Sequence, residues 1–215
     1  MESDTPPSAF SVDAQAAGTL ATLAGHLARE LGGRLEERAD RPLVVALDGR
    51  SGSGKSTLAA ALAVRINAVV IPGDDFYAGG TPADWDRRNA AEKAMKCIDW
   101  RRQRAVLAAI RRGEPATWRS FDWDAFDGRL AEDVESRPVA PFVVLEGAYS
   151  ARPELADLID VRVLLDTPPA VRRRQLLDRE GDLYQADWEA RWSEAEDHYF
   201  NTVVPPESFD FILVP

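Results

Sequence analysis

Five apolar residues, Leu43-Val44-Val45-Ala46-Leu47, run without a break into Asp48-Gly49-Arg50-Ser51-Gly52-Ser53-Gly54-Lys55-Ser56-Thr57, and a helix-period pattern follows at once. The segment contains G-x-x-x-x-G-K-[ST] in the strand-before, helix-after setting that the motif requires. Glycines let a backbone curl until its N–H groups surround a phosphate chain, and a helix N-terminus adds the positive end of its dipole. A lysine supplies a point charge to the outer phosphates, and a serine offers a hydroxyl to Mg2+. Gly49, Ser51, Gly52, Ser53, Gly54, Lys55, Ser56 and Thr57 are therefore the expected cradle of a nucleoside triphosphate, with Ser56 also on the metal. The lysine is informative because Lys55, Lys93 and Lys96 are the only three in 215 residues.

A strand that feeds such a turn predicts an α/β sheet, and the remaining pattern agrees. Ala68 to Ile71, Phe142 to Leu145, Val161 to Leu165 and Phe209 to Val214 are short apolar runs, most of them continuous, as strands buried on both faces are. Helical patterns lie between and after them at Ser56 to Ile66, Ala83 to Met95, Trp100 to Arg112, Pro153 to Leu158, Pro169 to Arg179 and Ala186 to about Phe200. The expected fold is a doubly wound, mainly parallel five-stranded sheet with helices on both faces and a small helical lid. Residues 1–12 read as a flexible tail and 13–215 as one domain. Within it, 13–40 forms an extra N-terminal helix with a weak point at Gly32-Gly33, 117–141 an irregular insertion on the acceptor side, and 172–192 the lid region.

Composition narrows the partners. Twenty-six Lys+Arg against 36 Asp+Glu leave a net charge of -10, which argues against binding nucleic acid polymers or anionic membrane surfaces. No run approaches the 18 or so apolar residues of a membrane span. The start carries neither a basic region nor an apolar core, and Cys97 is the only cysteine, so a cytoplasmic protein is expected.

Three further features carry chemistry. Ile71-Pro72-Gly73-Asp74-Asp75-Phe76-Tyr77 puts two carboxylates just past the end of a strand, the edge at which open α/β sheets bind ligands. Such a carboxylate can take a proton from an attacking hydroxyl; the alternative is a solvated turn. Glu146 ends Phe142-Val143-Val144-Leu145-Glu146-Gly147, where a Walker B carboxylate would hold Mg2+ or its water. Arg172, Arg173, Arg174, Arg179 and Arg191 surround Glu180-Gly181-Asp182. They either close over phosphates or form a solvated face paired with nearby acids.

Taken in order, these motifs resemble the uridine kinase and phosphoribulokinase group of P-loop kinases, including the nicotinamide riboside kinases, over roughly Leu43 to Pro215. The resemblance implies an ATP- and Mg2+-dependent kinase that phosphorylates a hydroxyl of a nucleoside-like or sugar-like small molecule. It makes Asp74 the catalytic base ahead of Asp75, Asp99 in Ile98-Asp99-Trp100 a ribose-hydroxyl ligand, Glu146 with Ser56 the metal pair, Arg172 an ATP contact and Arg179 the lid arginine. Lys55, Asp74 and Arg179 are then the catalytic set. Phe121-Asp122-Trp123 stands where uridine kinases carry Tyr-Asp-Phe, but the histidine that reads the pyrimidine there has no counterpart, since the two histidines are His26 and His198. Pyrimidine specificity is thus not implied. Tyr77, Phe121 and Trp123 are expected at the acceptor, with core packing as the alternative for such aromatics, and Arg129 is either a contact to an anionic acceptor or a solvated loop residue. Other readings are a kinase of a coenzyme-precursor alcohol and a nucleotide-binding regulatory module. Homo-oligomerisation is compatible with all of them.

Overall fold

The computed structural model describes residues 19–36, 41–181 and 186–215. The expected tail at 1–12, the first residues of the expected N-terminal helix and residues 182–185 of the lid region lie outside this set. Five strands form one all-parallel sheet: β1 (Leu43–Asp48), β2 (Ala68–Pro72), β5 (Phe142–Glu146), β6 (Val161–Leu165) and β7 (Phe211–Leu213), in the order β2-β5-β1-β6-β7. β1 lies at the centre and is buried along its whole length. Burying each of its Val and Leu side chains contributes about 1.5–3 kcal/mol.

Alternation along β1 divides the interior. Leu43, Val45 and Leu47 pack with α1 (Leu20–Glu36) and α2 (Lys55–Ile66), while Val44 and Ala46 face the opposite layer. That layer takes residues from α3 (Pro82–Asp86), α4 (Ala90–Lys96), α5 (Trp100–Arg111) and α7 (Ala186–His198). α6 (Pro169–Glu180) follows β6. α1 buries Leu23, Ala24, Leu27 and Leu31 and continues through Gly32-Gly33 without interruption. Two glycines cost a helix about 1–2 kcal/mol in total, which the buried leucine stripe offsets.

Several expectations need correction. The helix anticipated from Ala83 to Met95 is two helices, because Thr81 with Asp84 and Asn89 with Glu92 each form a complete capping box and the second restarts the chain. Pro153–Leu158 is 3-10, not α. The last long helix ends at His198 and continues as a π turn, Tyr199–Val203. The 117–141 insertion is not wholly irregular: β3 (Ala116–Trp118) and β4 (Glu135–Arg137) pair antiparallel, and a bridge joins Phe121 to Leu130.

Candidate active site

The phosphate loop leaves the C-terminal end of β1 and turns into α2 through Gly54, which is left-handed at φ 94° and caps the helix without a side chain. Gly52 is left-handed as well, at φ 73°, and a Cβ there would sit 2.6 Å from the Arg172 carbonyl oxygen and 2.8 Å from Leu176 Cγ. Only glycine permits that turn against α6. Lys55 Nζ donates back across the loop to the Arg50 carbonyl at 3.0 Å, and the Thr167 hydroxyl donates to the Ser53 carbonyl at 2.8 Å. Arg172 lies against the loop, its guanidinium donating to the carbonyls of Thr167 and Ser51. Ser51 points both of its donors away from this cradle. Its N–H and hydroxyl donate to one oxygen of Glu196, at 2.8 and 2.6 Å.

The sheet register gathers the carboxylates beside the loop. Glu146, last in β5, lies level with Pro72 of β2 on one side and Leu47 of β1 on the other. The 3-10 turn Gly73–Phe76 then carries Asp74 two residues past β2. Burial raises the Glu146 carboxyl above its ordinary range; the Lys55 ammonium opposes this, Asp74 adds to it, the Ser56 hydroxyl opposes it and Asp75 adds again. Lys55, Ser56 and Asp74 therefore all act on Glu146 at the carboxyl edge of the sheet.

Asp74 and Asp75 have different surroundings. Asp75 accepts from Trp118 Nε1 at 2.7 Å, and its carbonyl accepts from the Phe121 N–H, which ties the hairpin to the sheet. Asp74 instead lines a cleft of about 770 Å3. Among the described residues the charged ones lining that cleft are Asp74, Arg179 and Glu196, and its walls include Tyr77, Trp123, Phe126, Trp188 and Trp192. Tyr77 and Trp123 stack with ring centroids 5.2 Å apart, and Trp188 meets Trp192 edge-on at 5.3 Å. Trp123 remains 45% exposed, as a wall facing an open cleft would be. Burial pushes the Tyr77 hydroxyl up to about 12 and the Cys97 thiol likewise to about 12, so neither ionises near neutral pH.

No family model matches the chain. It is 25% identical over 184 residues to a uridine kinase from Listeria welshimeri, an alignment that covers 81% of this chain and 87% of that protein. It is 26% identical over 178 residues to uridine-cytidine kinase A from Dictyostelium discoideum, where the match covers 81% of this chain and spans about a third, 34%, of the longer relative. Among solved structures, a protein assigned as a fructose transport system kinase from Silicibacter sp. TM1040 superposes with a TM-score of 0.64 at 24% identity, covering 91% of this chain and 98% of that one. D-glycerate 3-kinase from Cryptococcus neoformans var. grubii superposes with a TM-score of 0.61 at 13% identity, covering 89% and 95%. The chain is similar in sequence to uridine kinases, and it shares its fold with solved P-loop kinases.

Several expected acceptor residues stand away from the cleft lining. Asp99 caps α5, its Oδ1 accepting from the N–H groups of Arg101 and Arg102. Phe121 is buried against Tyr77 and Trp123, supporting the cleft wall from behind. Arg129 pairs with Asp127 on the exposed hairpin. Tyr77, Trp123, Asp74 and Arg179 do line the cleft. Sequence reasoning missed Phe126, Trp188, Trp192 and Glu196; the last three recur at four-residue spacing on one face of α7, a periodicity that was there to be read. Among the described residues no group of three or more His, Cys, Asp or Glu side chains could hold a metal by itself. Glu146 and Ser56 nevertheless fit Mg2+: both offer hard oxygens, the ion takes its other ligands from phosphates and water, and positive charge would relieve the burial that raises Glu146.

Proposed function

We propose that this kinase transfers the γ-phosphoryl group of ATP to a hydroxyl of a small nucleoside-like or sugar-like molecule bound in the aromatic cleft. The observation that carries the reading is the position of Asp74, which lines the cleft and also acts on Glu146 beside Lys55. Mg2+ bound at Ser56 and Glu146 would neutralise the charge on the phosphate oxygens. The loop amides from Gly52 to Thr57 hold the phosphate chain, and Lys55 swings from the Arg50 carbonyl to its outer oxygens. Asp74 orients the acceptor hydroxyl and takes its proton as the new O–P bond forms and the bond to the ADP leaving group breaks. The end of α6 acts as the lid, bringing Arg179 over the reacting phosphate.

The cleft also bears on the class of acceptor. Aromatic walls favour a molecule with a flat or apolar face. The described lining carries no cationic excess for an anionic acceptor, and Arg129, the arginine available for an anion in sequence terms, is paired on the hairpin. A purely regulatory nucleotide switch would have no use for a carboxylate opening into a second cleft. No described helix is long and apolar enough to cross a membrane, and a cytoplasmic site of action is part of this proposal.

The test is ADP release with MgATP and a panel of nucleosides, ribosides, sugars and amino alcohols, with products read by mass spectrometry. Acceptor-dependent turnover is expected. Asp74→Asn should bind ATP as the parent does yet lose on the order of 10²–10⁴ in kcat. Turnover independent of every acceptor, or full activity in Asp74→Asn, would overturn the assignment.

A further inference from the structure

Glu196 is an acid buried to 2% exposure that none of the steps above employs. It belongs to a run of contacts between the end of α7 and the phosphate loop. Glu196 takes both donors of Ser51, Asp197 accepts from Arg50 at 2.5 Å, the Tyr199 hydroxyl donates to Asp48 at 2.8 Å, and the Arg50 guanidinium lies over the Phe200 ring. Four residues within five positions of the helix end thus grip three within four positions of the loop. The grip falls where α7 gives way to its π turn, a rare local geometry that is over-represented at functional sites. One and two turns earlier, the same helix presents Trp192 and Trp188 to the cleft.

We infer that Glu196 is a positioning residue for phosphoryl transfer: by holding Ser51 it fixes the phosphate loop against the helix that forms the acceptor wall. Nucleotide cradle and acceptor wall then move as one body, and the distance between the two reacting groups is set by a hydrogen-bonded joint where the two binding surfaces meet. The inference rests on the kinase reading given above. Because both Ser51 bonds end on the single oxygen Oε1, an amide at this position can still accept them, whereas a methyl group cannot. A joint predicts damage to the rate of transfer ahead of damage to binding, since misplacement by about 1 Å can cost on the order of 100-fold in rate.

The experiment measures kcat, KM for ATP and KM for a turned-over acceptor in the parent chain, Glu196→Gln, Glu196→Ala, Ser51→Ala and the double variant Ser51→Ala/Glu196→Ala. All assays run well below the lowest unfolding midpoint of the set. Expected results are a roughly 10- to 100-fold loss of kcat in Glu196→Ala with both KM values within about threefold, and kcat within about threefold of the parent in Glu196→Gln. The double variant should lose less than the product of the two single losses. Parental kcat in Glu196→Ala, equal damage from Gln and Ala, or multiplicative losses in the double variant would overturn the positioning role while leaving the kinase reading intact. If the parent itself shows no acceptor-dependent turnover, both fall together.

Discussion

Replacing Asp48 by Asn should change how the stability of the protein depends on pH, by an amount that follows from its surroundings. The carboxylate is fully buried at the end of β1. Oδ1 accepts from the N–H groups of Gly49 at 2.8 Å and Tyr149 at 3.0 Å, and Oδ2 from the Ala151 N–H at 2.9 Å and the Tyr199 hydroxyl at 2.8 Å. Burial nevertheless dominates, pushing the carboxyl from its ordinary 3.8 up to about 6 against those donors and against Lys55. The Tyr199 hydroxyl is the one donor of the four that can rotate, and so can accept the proton when Asp48 takes it up. Between the two pKa values the native state holds a proton that the unfolded chain has released. This group's contribution to stability is therefore greatest in acid and declines as pH rises through the folded pKa. From about pH 4.5 to about pH 7 the decline amounts to about 2 kcal/mol. Asn does not titrate, so urea denaturation followed by tryptophan fluorescence should show the stability difference between parent and Asp48→Asn moving in favour of the variant by about 2 kcal/mol over that range. Contributions from the other carboxylates cancel in the subtraction. Two parallel stability curves would refute the argument.

Other substitutions test other parts of the structure. Gly52→Ala forces a left-handed alanine, at a cost of about 1–2 kcal/mol, and drives a methyl group into the Arg172 carbonyl. Its unfolding midpoint should fall by several degrees, and its ATP affinity, read by calorimetry, should drop more than about tenfold; parental affinity would show that the loop tolerates a side chain there. Asp99→Ala should lose about 1 kcal/mol of stability with the helix cap, and Asp99→Ser should restore most of it. Acceptor KM in the Ser variant should match the parent, and a large rise would return Asp99 to the acceptor.

What could be read in advance follows the range over which each feature is determined. The phosphate loop is specified by ten consecutive residues, and the five strands of the main sheet by runs of four to six, so neither needs tertiary information. The break between α3 and α4 was also local, written as Thr81-x-x-Asp84 and Asn89-x-x-Glu92, but continuous helical periodicity masked it. The place of Glu196 on the cleft face of α7 follows from its spacing, but its pairing was out of reach by pattern alone, since its partner Ser51 lies 145 residues away and the bond exists only once α7 has docked. Asp99 carries two readings at once: its motif position implied an acceptor ligand, and in the fold its carboxylate caps α5.

The parallel register that aligns Pro72, Glu146 and Leu47 divides the molecule into a part that resists change and a part that accepts it. A one-residue slip in β5 would exchange its two faces and carry Glu146 away from the loop, so the phosphate half tolerates little alteration. Trp123 and Phe126 lie instead between β3 and β4, in a hairpin whose loop can lengthen at small entropic cost. On the proposed function, exchanging that hairpin for the one of a similar kinase should recut acceptor preference while the sheet and its edge stay as they stand.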